Sequence, residues 1–183
     1  HRIPEAIARY KDRAESTKPG RDESAEFRWG FSPDVYTGET EKTWREAQGK
    51  PVGHPLKIRY LGIWDTVGGL GVPGVFGWIA RPFNARYLFH DAVLSSSVSA
   101  GRHALSTDER RLFYPPTVWD NIDALNGDDP TLPYRQKWFP GDHGMIGGSG
   151  ADKALSEYTM LWIIEGAMAQ GLKVRQSFLD EVS

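Results

Sequence analysis

Three segments of this chain carry a hydrophobic pattern strong enough to predict an element unaided. The β-branched and aromatic run Leu56-Lys57-Ile58-Arg59-Tyr60-Leu61-Gly62-Ile63-Trp64 stops abruptly at Asp65-Thr66-Val67-Gly68-Gly69, which predicts a buried strand and then a glycine-rich turn. Tyr134-Arg135-Gln136-Lys137-Trp138-Phe139 predicts a second, shorter strand that ends at Pro140-Gly141-Asp142-His143-Gly144. After the turn Gly147-Gly148-Ser149-Gly150, a helix is expected from about Lys153 to Gln170. Leu161, Ile164, Ala167 and Met168 line one face of it, and Gly171 is its carboxy-terminal cap.

Weaker patterns fill the intervals. Ile3, Ile7 and Tyr10 recur at helical spacing behind Pro4, so Pro4 to about Ser16 reads as a surface helix, followed by a loop over Lys18–Ser24. Residues 27–54 are rich in Gly, Pro, Thr and Glu and show no sustained period, which predicts an irregular surface insertion. Asp91 to about Leu105 is expected to be helical despite Ser95-Ser96-Ser97. Thr117–Pro133 reads as a loop, and Gln176–Val182 as a last short helix. Residues 69–90 mix large apolar side chains with Gly and Pro and fit a loop or lid. Val72, Val75, Phe76, Trp78, Ile79 and Phe83 keep two readings: a patch that dips into lipid, or a surface packed on the sheet or on a more amino-terminal part of the same protein. Strand, loop and helix alternate, so the expected class is α/β, with a mainly parallel sheet flanked by helices.

Composition narrows the function classes. The 183 residues suffice for one domain with its own core, 1–183, and 39% hydrophobic with 25% charged residues is ordinary for a soluble globular protein. Lys and Arg number 22 against 24 Asp and Glu, so no positive field favours a phosphate backbone, and nucleic acid is not an expected partner. With no cysteine there is no disulfide, thiolate nucleophile or zinc–thiolate site. The five histidines show no His-Glu-x-x-His or paired spacing, and neither a metal nor another cofactor is expected. The opening residues lack the apolar core of a signal peptide, and no stretch is long enough for a membrane span.

Two ionisable residues stand at the carboxyl ends of the two predicted strands: Asp65 and His143. In open α/β sheets, ligands and catalytic groups gather at that rim. Their order also fits a serine, acid, histidine succession in which the serine comes first. His143 would take the serine proton and return it to the leaving group, while Asp65 fixes its tautomer and stabilises the imidazolium. Spacing alone leaves blander readings open, since aspartates after strands cap turns and histidines in glycine-rich loops sit on surfaces. Asp142 is a second acid beside His143. Asp108, Glu109 and Arg110 read as an ion-pair and capping cluster, with substrate contact as the other reading, and His90 and His103 as structural histidines.

The segments Leu61-Gly62-Ile63-Trp64-Asp65-Thr66-Val67-Gly68, His103-Ala104-Leu105-Ser106-Thr107-Asp108-Glu109-Arg110-Arg111 and Trp138-Phe139-Pro140-Gly141-Asp142-His143-Gly144-Met145-Ile146-Gly147-Gly148 resemble the α/β-hydrolase domain family that includes the phospholipase effectors of bacterial type VI secretion. Over residues 56–172 the resemblance implies a Ser-Asp-His hydrolase of ester bonds, with lipid as the substrate, Asp65 as the triad acid and His143 as its base. It also implies a cytoplasmic protein, or one exported without a signal peptide, that makes peripheral membrane contact. Members carry a Gly-Phe-Ser-Arg-Gly nucleophile elbow before the Trp-Asp-Thr-Val strand and an early Asp-Gly-Thr segment; neither is found here. Gly30-Phe31-Ser32-Pro33-Asp34 resembles the elbow only loosely, because Pro33 lacks the backbone N–H that would line an oxyanion hole. Ser32 is therefore expected to be a loop serine and the nucleophile to lie outside this segment. The chain then reads as the carboxy-terminal part of a longer hydrolase, fragmentary and inactive alone. A non-catalytic binding or scaffold module on the same layer is the alternative.

Overall fold

Buried charge, not an apolar stripe, organises the first part of the chain. The computed structural model describes residues 2–12, 14–67, 93–111, 116–149 and 153–182. The chain divides into two units, 1–57 and 58–183. In the first, helix α1 (Ile3–Lys11) begins with proline in its first turn and buries none of its residues, as a surface helix should. It stops short of the expected Ser16, and a single 3-10 turn (Glu15–Thr17) follows. Helix α2 (Asp22–Phe31), strand β1 (Val35–Tyr36), helix α3 (Glu39–Ala47) and strand β2 (His54–Pro55) complete the unit, with β1 and β2 paired in parallel.

The irregular excursion expected over 27–54 is thus overturned: much of it is helix. The physical reason lies in α3, whose buried face is Glu41 and Arg45 at i, i+4 spacing, so a hydropathy pattern reads it as polar on the wrong side. The Arg45 guanidinium donates to the carbonyls of Pro33 and Val52 at 2.7 Å each, Val35 at 2.6 Å and Ser32 at 3.3 Å. It also donates to Glu41 at 2.6 Å, and both side chains are essentially inaccessible, at 0% and 1%. The other Glu41 oxygen accepts from Arg28 Nε at 2.6 Å and from the backbone N–H and hydroxyl of Thr37 at 3.1 and 2.9 Å. Burial alone would raise the Glu41 carboxyl, but the hydrogen bonds from Arg28, Thr37 and Arg45 outweigh it and hold the group below the usual range.

The second unit is built on a three-stranded, all-parallel sheet in the order β3 (Leu61–Trp64), β4 (Gly101–Ser106), β5 (Tyr134–Phe139). Leu61 aligns with Gly101, and Gly101 with Tyr134. Helices α4 (Ile122–Asn126), α5 (His143–Gly147), α6 (Ala154–Ala169) and α7 (Gln176–Val182) accompany it, giving the α/β architecture of a parallel sheet flanked by helices.

β5 and α7 match their expected ranges residue for residue, and α6 falls within its own. β3 is shorter than expected and half-buried, with Ile58 reduced to an isolated bridge to Val98. The helix expected over Asp91–Leu105 is a correction: its last residues are the central strand β4. At its first position a Cβ on Gly101 would stand a tight 3.2 Å from the Trp119 ring, which favours glycine there. With no run of β-branched residues the usual strand signal is missing. α4 and α5 lie in segments read as loops.

Helix α6 presents Thr159, Ile163 and Gly166 to the sheet, while Met168 stays exposed; the stripe expected from Leu161 to Met168 was rotated about the axis. Its cap is as expected: Gly171, at φ +96°, donates to Met168 at 2.9 Å and Leu172 to Ala167 at 3.0 Å, a Schellman closure. Ile163 joins Ala104, Phe139 and Ile146 in one core cluster, and Trp119 joins Leu94, Val98 and Tyr134 in another. The lid expected over 69–90 lies outside the described residues.

Candidate active site

Asp65 is the first residue beyond β3, and its N–H still donates to Ala104 at 2.7 Å, so the ladder carries it to the sheet's carboxyl rim. There the backbone turns into the left-handed region at φ +38°. Aspartate tolerates that conformation better than most residues, but it still costs about 1–3 kcal/mol, and such strain persists only where surroundings enforce it. The enforcing contacts are on the carboxylate, which is wholly buried. Oδ1 accepts the backbone N–H of Ser106 at 2.8 Å, and Oδ2 accepts the Ser106 hydroxyl at 2.7 Å.

The third partner of that carboxylate is the imidazole of His143, whose Nδ1 lies 3.0 Å from Oδ2. The sequence thus points to two residues 78 positions apart, and the fold brings them together. His143 opens helix α5 directly after its N-cap, Asp142, whose side chain accepts the N–H of Met145 at 2.8 Å. Asp142 is therefore the cap and Asp65 the acid that meets the ring. Bonding at Nδ1 selects the tautomer in which Nε2 is the basic nitrogen. The His143 side chain is 37% exposed, so the ring connects this buried carboxylate to the solvent side.

The segment after β4 holds the histidine loop. Asp108 N–H donates to Gly141 at 3.1 Å, and Gly141 N–H returns to the Asp108 carboxylate at 2.7 Å. Gly141 sits at φ +108°, with a hypothetical Cβ only 3.1 Å from Leu155 and 3.2 Å from Met145, so the turn needs glycine. Glu109 accepts the His143 N–H at 3.3 Å and is gripped by Arg111, whose hydrogen bonds hold the Glu109 carboxyl down at about 2. Glu109 makes an ion pair as expected, though with Arg111 and not Arg110, and Asp108 holds the Gly141 turn rather than capping a helix; Asp108, Glu109 and Arg110 all line a cleft of about 520 Å³ with Gly141, Asp142 and Met145.

His103 is structural. It is buried on β4 against Trp119, with Nε2 accepting the Thr66 N–H at 3.1 Å and Nδ1 placed 3.3 Å from Gln136 Oε1. Burial pushes its pKa below the ordinary 6.5. An unfolded histidine takes up a proton on acidification before the folded one does, so stability should fall as pH drops through 6.5. Denaturant midpoints measured between about pH 7.5 and about pH 5.5 should show that loss, and His103→Gln should flatten it.

His90 lies outside the described residues. Ser32 caps the end of α2, its N–H donating to Arg28 at 2.8 Å, which is helix-end geometry rather than a strand-to-helix elbow. Among the described residues no group of three His, Asp or Glu could hold a metal ion. Sequence reasoning gave Ser106 no role; it stands two residues before Asp108 beside a second hydroxyl residue, Thr107, at the end of a segment read as helix.

A family model described as the catalytic domain of Tle1-like type VI secretion phospholipase effectors matches residues 1–166. The chain belongs to that family. No characterised protein and no solved structure gives a significant match. Family membership gives this Tle1-like domain the setting of a phospholipase effector, and with it hydrolase chemistry on lipid. Among its described residues no helix is long and apolar enough to cross a membrane.

Proposed function

We propose that this Tle1-like domain supplies the acid and base of a serine ester hydrolase that cleaves phospholipid acyl esters. The observation that carries the reading is the 3.0 Å contact between Nδ1 of His143 and the buried carboxylate of Asp65 at the rim of a parallel sheet. In that reading, His143 Nε2 removes the proton of a serine hydroxyl as the oxygen attacks the ester carbonyl. The imidazolium then gives the proton to the departing alcohol, and a water repeats both steps to free the fatty acid. Asp65 stabilises the imidazolium throughout. In this reading the serine comes from outside residues 1–183; Ser32, which ends a helix, and Ser106, which is bonded to Asp65, are not placed to serve as it. Residues 1–183 alone should then be inactive. Delivery by a type VI system requires no signal peptide, and the membrane would be met from its surface.

The test is fatty-acid release from phosphatidylethanolamine–phosphatidylglycerol vesicles by the full-length protein, combined with fluorophosphonate labelling and mass spectrometry. Release, with label on a serine other than Ser32 and Ser106, is expected. A protein that binds the vesicles but neither releases fatty acid nor takes the label would be a binding module instead.

A further inference from the structure

We propose that Ser106 and Asp108, on which the central strand leaves the sheet, are positioning residues that set Asp65 and His143 relative to one another. Asp65 leaves β3 and His143 follows β5, and these strands are not neighbours. Adjacent strands lie about 4.8 Å apart, so the two groups start roughly 10 Å from each other and meet over β4. Their alignment therefore passes through that strand.

β4 has one contact for each partner. Ser106, 2% exposed, gives both its N–H and its hydroxyl to the Asp65 carboxylate, one to each oxygen, which leaves the plane of that group little freedom. Two residues on, Asp108 exchanges a reciprocal pair of hydrogen bonds with Gly141 at 2.7 and 3.1 Å, and the adjoining Thr107 N–H donates to Phe139 at 3.0 Å. The loop from β5 to His143 is thus tied to the same three-residue stretch, 106–108, that orients the acid. A backbone N–H donor and a carboxylate acceptor on one residue, Asp108, fix both the height and the direction of Gly141. His143 is only two positions further on.

The inference rests on the hydrolase reading for its rates but not for its spectroscopy. In the full-length protein, Ser106→Ala removes one donor from a charged acceptor and should lower kcat about tenfold with KM little changed. The Nδ1–H proton of His143, observed by NMR, should also move, because the carboxylate it bonds has lost a competing donor. Asp108→Ala should lower kcat similarly, and Asp108→Asn, which keeps an oxygen acceptor for Gly141, should restore it to within about threefold, whereas a role for the charge alone would leave both variants equally impaired. An unmoved Nδ1–H resonance in Ser106→Ala, or Asp108→Asn as impaired as Asp108→Ala, would overturn the inference. If the wild type releases no fatty acid, the hydrolase reading falls, and the resonance still decides whether Ser106 positions the pair.

Discussion

His143→Ala in the full-length protein is expected to abolish fatty-acid release, and Asp65→Asn to reduce kcat about 10⁴-fold while leaving the fold in place. The two variants fail for different reasons. Alanine removes the proton carrier itself. Asparagine keeps the shape and also suits the left-handed backbone at φ +38°, where few other side chains would sit without strain. It can still accept from Ser106, but the amide cannot also receive the Nδ1–H and stabilise a positive ring. The imidazole is then driven to the wrong tautomer. Far-UV circular dichroism should be unchanged in Asp65→Asn, so lost turnover is assigned to chemistry. Full activity in both variants would refute the assignment of Asp65 and His143.

Arg45→Met should be the most damaging substitution in the first unit. Methionine has comparable bulk but leaves the carbonyls of Pro33, Val52, Val35 and Ser32 without their shared donor and strips Glu41 of one of its two cationic partners. Removing one member of a buried pair costs about 3–5 kcal/mol, a large part of the about 5–15 kcal/mol that holds a typical domain. A fall in melting temperature of about 10 °C is expected, with amides of α2 and α3 losing protection from hydrogen exchange first. Arg45→Lys should do little better, because an ammonium cannot reproduce the planar fork. Unaltered exchange in α2 and α3 would show that the carbonyl cluster does not depend on this side chain.

The parts of the fold legible from sequence are those where side-chain pattern and environment agree. β5 carries aromatic ends and breaks at a proline, and α7 and the glycine-capped α6 behave as their patterns predict. β4 was hidden because its sequence, Gly101-Arg102-His103-Ala104-Leu105-Ser106, has no β-branched residue, and its first position is crowded by Trp119, where glycine fits. The helices within 27–54 were hidden because α3 turns its charges inward and satisfies them with backbone carbonyls, the inverse of the usual burial rule. At the site, Asp65 and His143 could be found because each ends a readable strand. Ser106 could not, because its role exists only once β3 and β4 are in register and a hydroxyl comes to lie beneath a carboxylate.

The crossing of two edge-derived groups over a middle strand limits how this arrangement could be moved elsewhere. A scaffold receiving it would need three neighbouring parallel strands with the same stagger, a small donor at the tip of the middle one and an aspartate that accepts an unfavourable backbone. Transplanting the acid and imidazole alone would leave them about two strand spacings apart with nothing to draw them together.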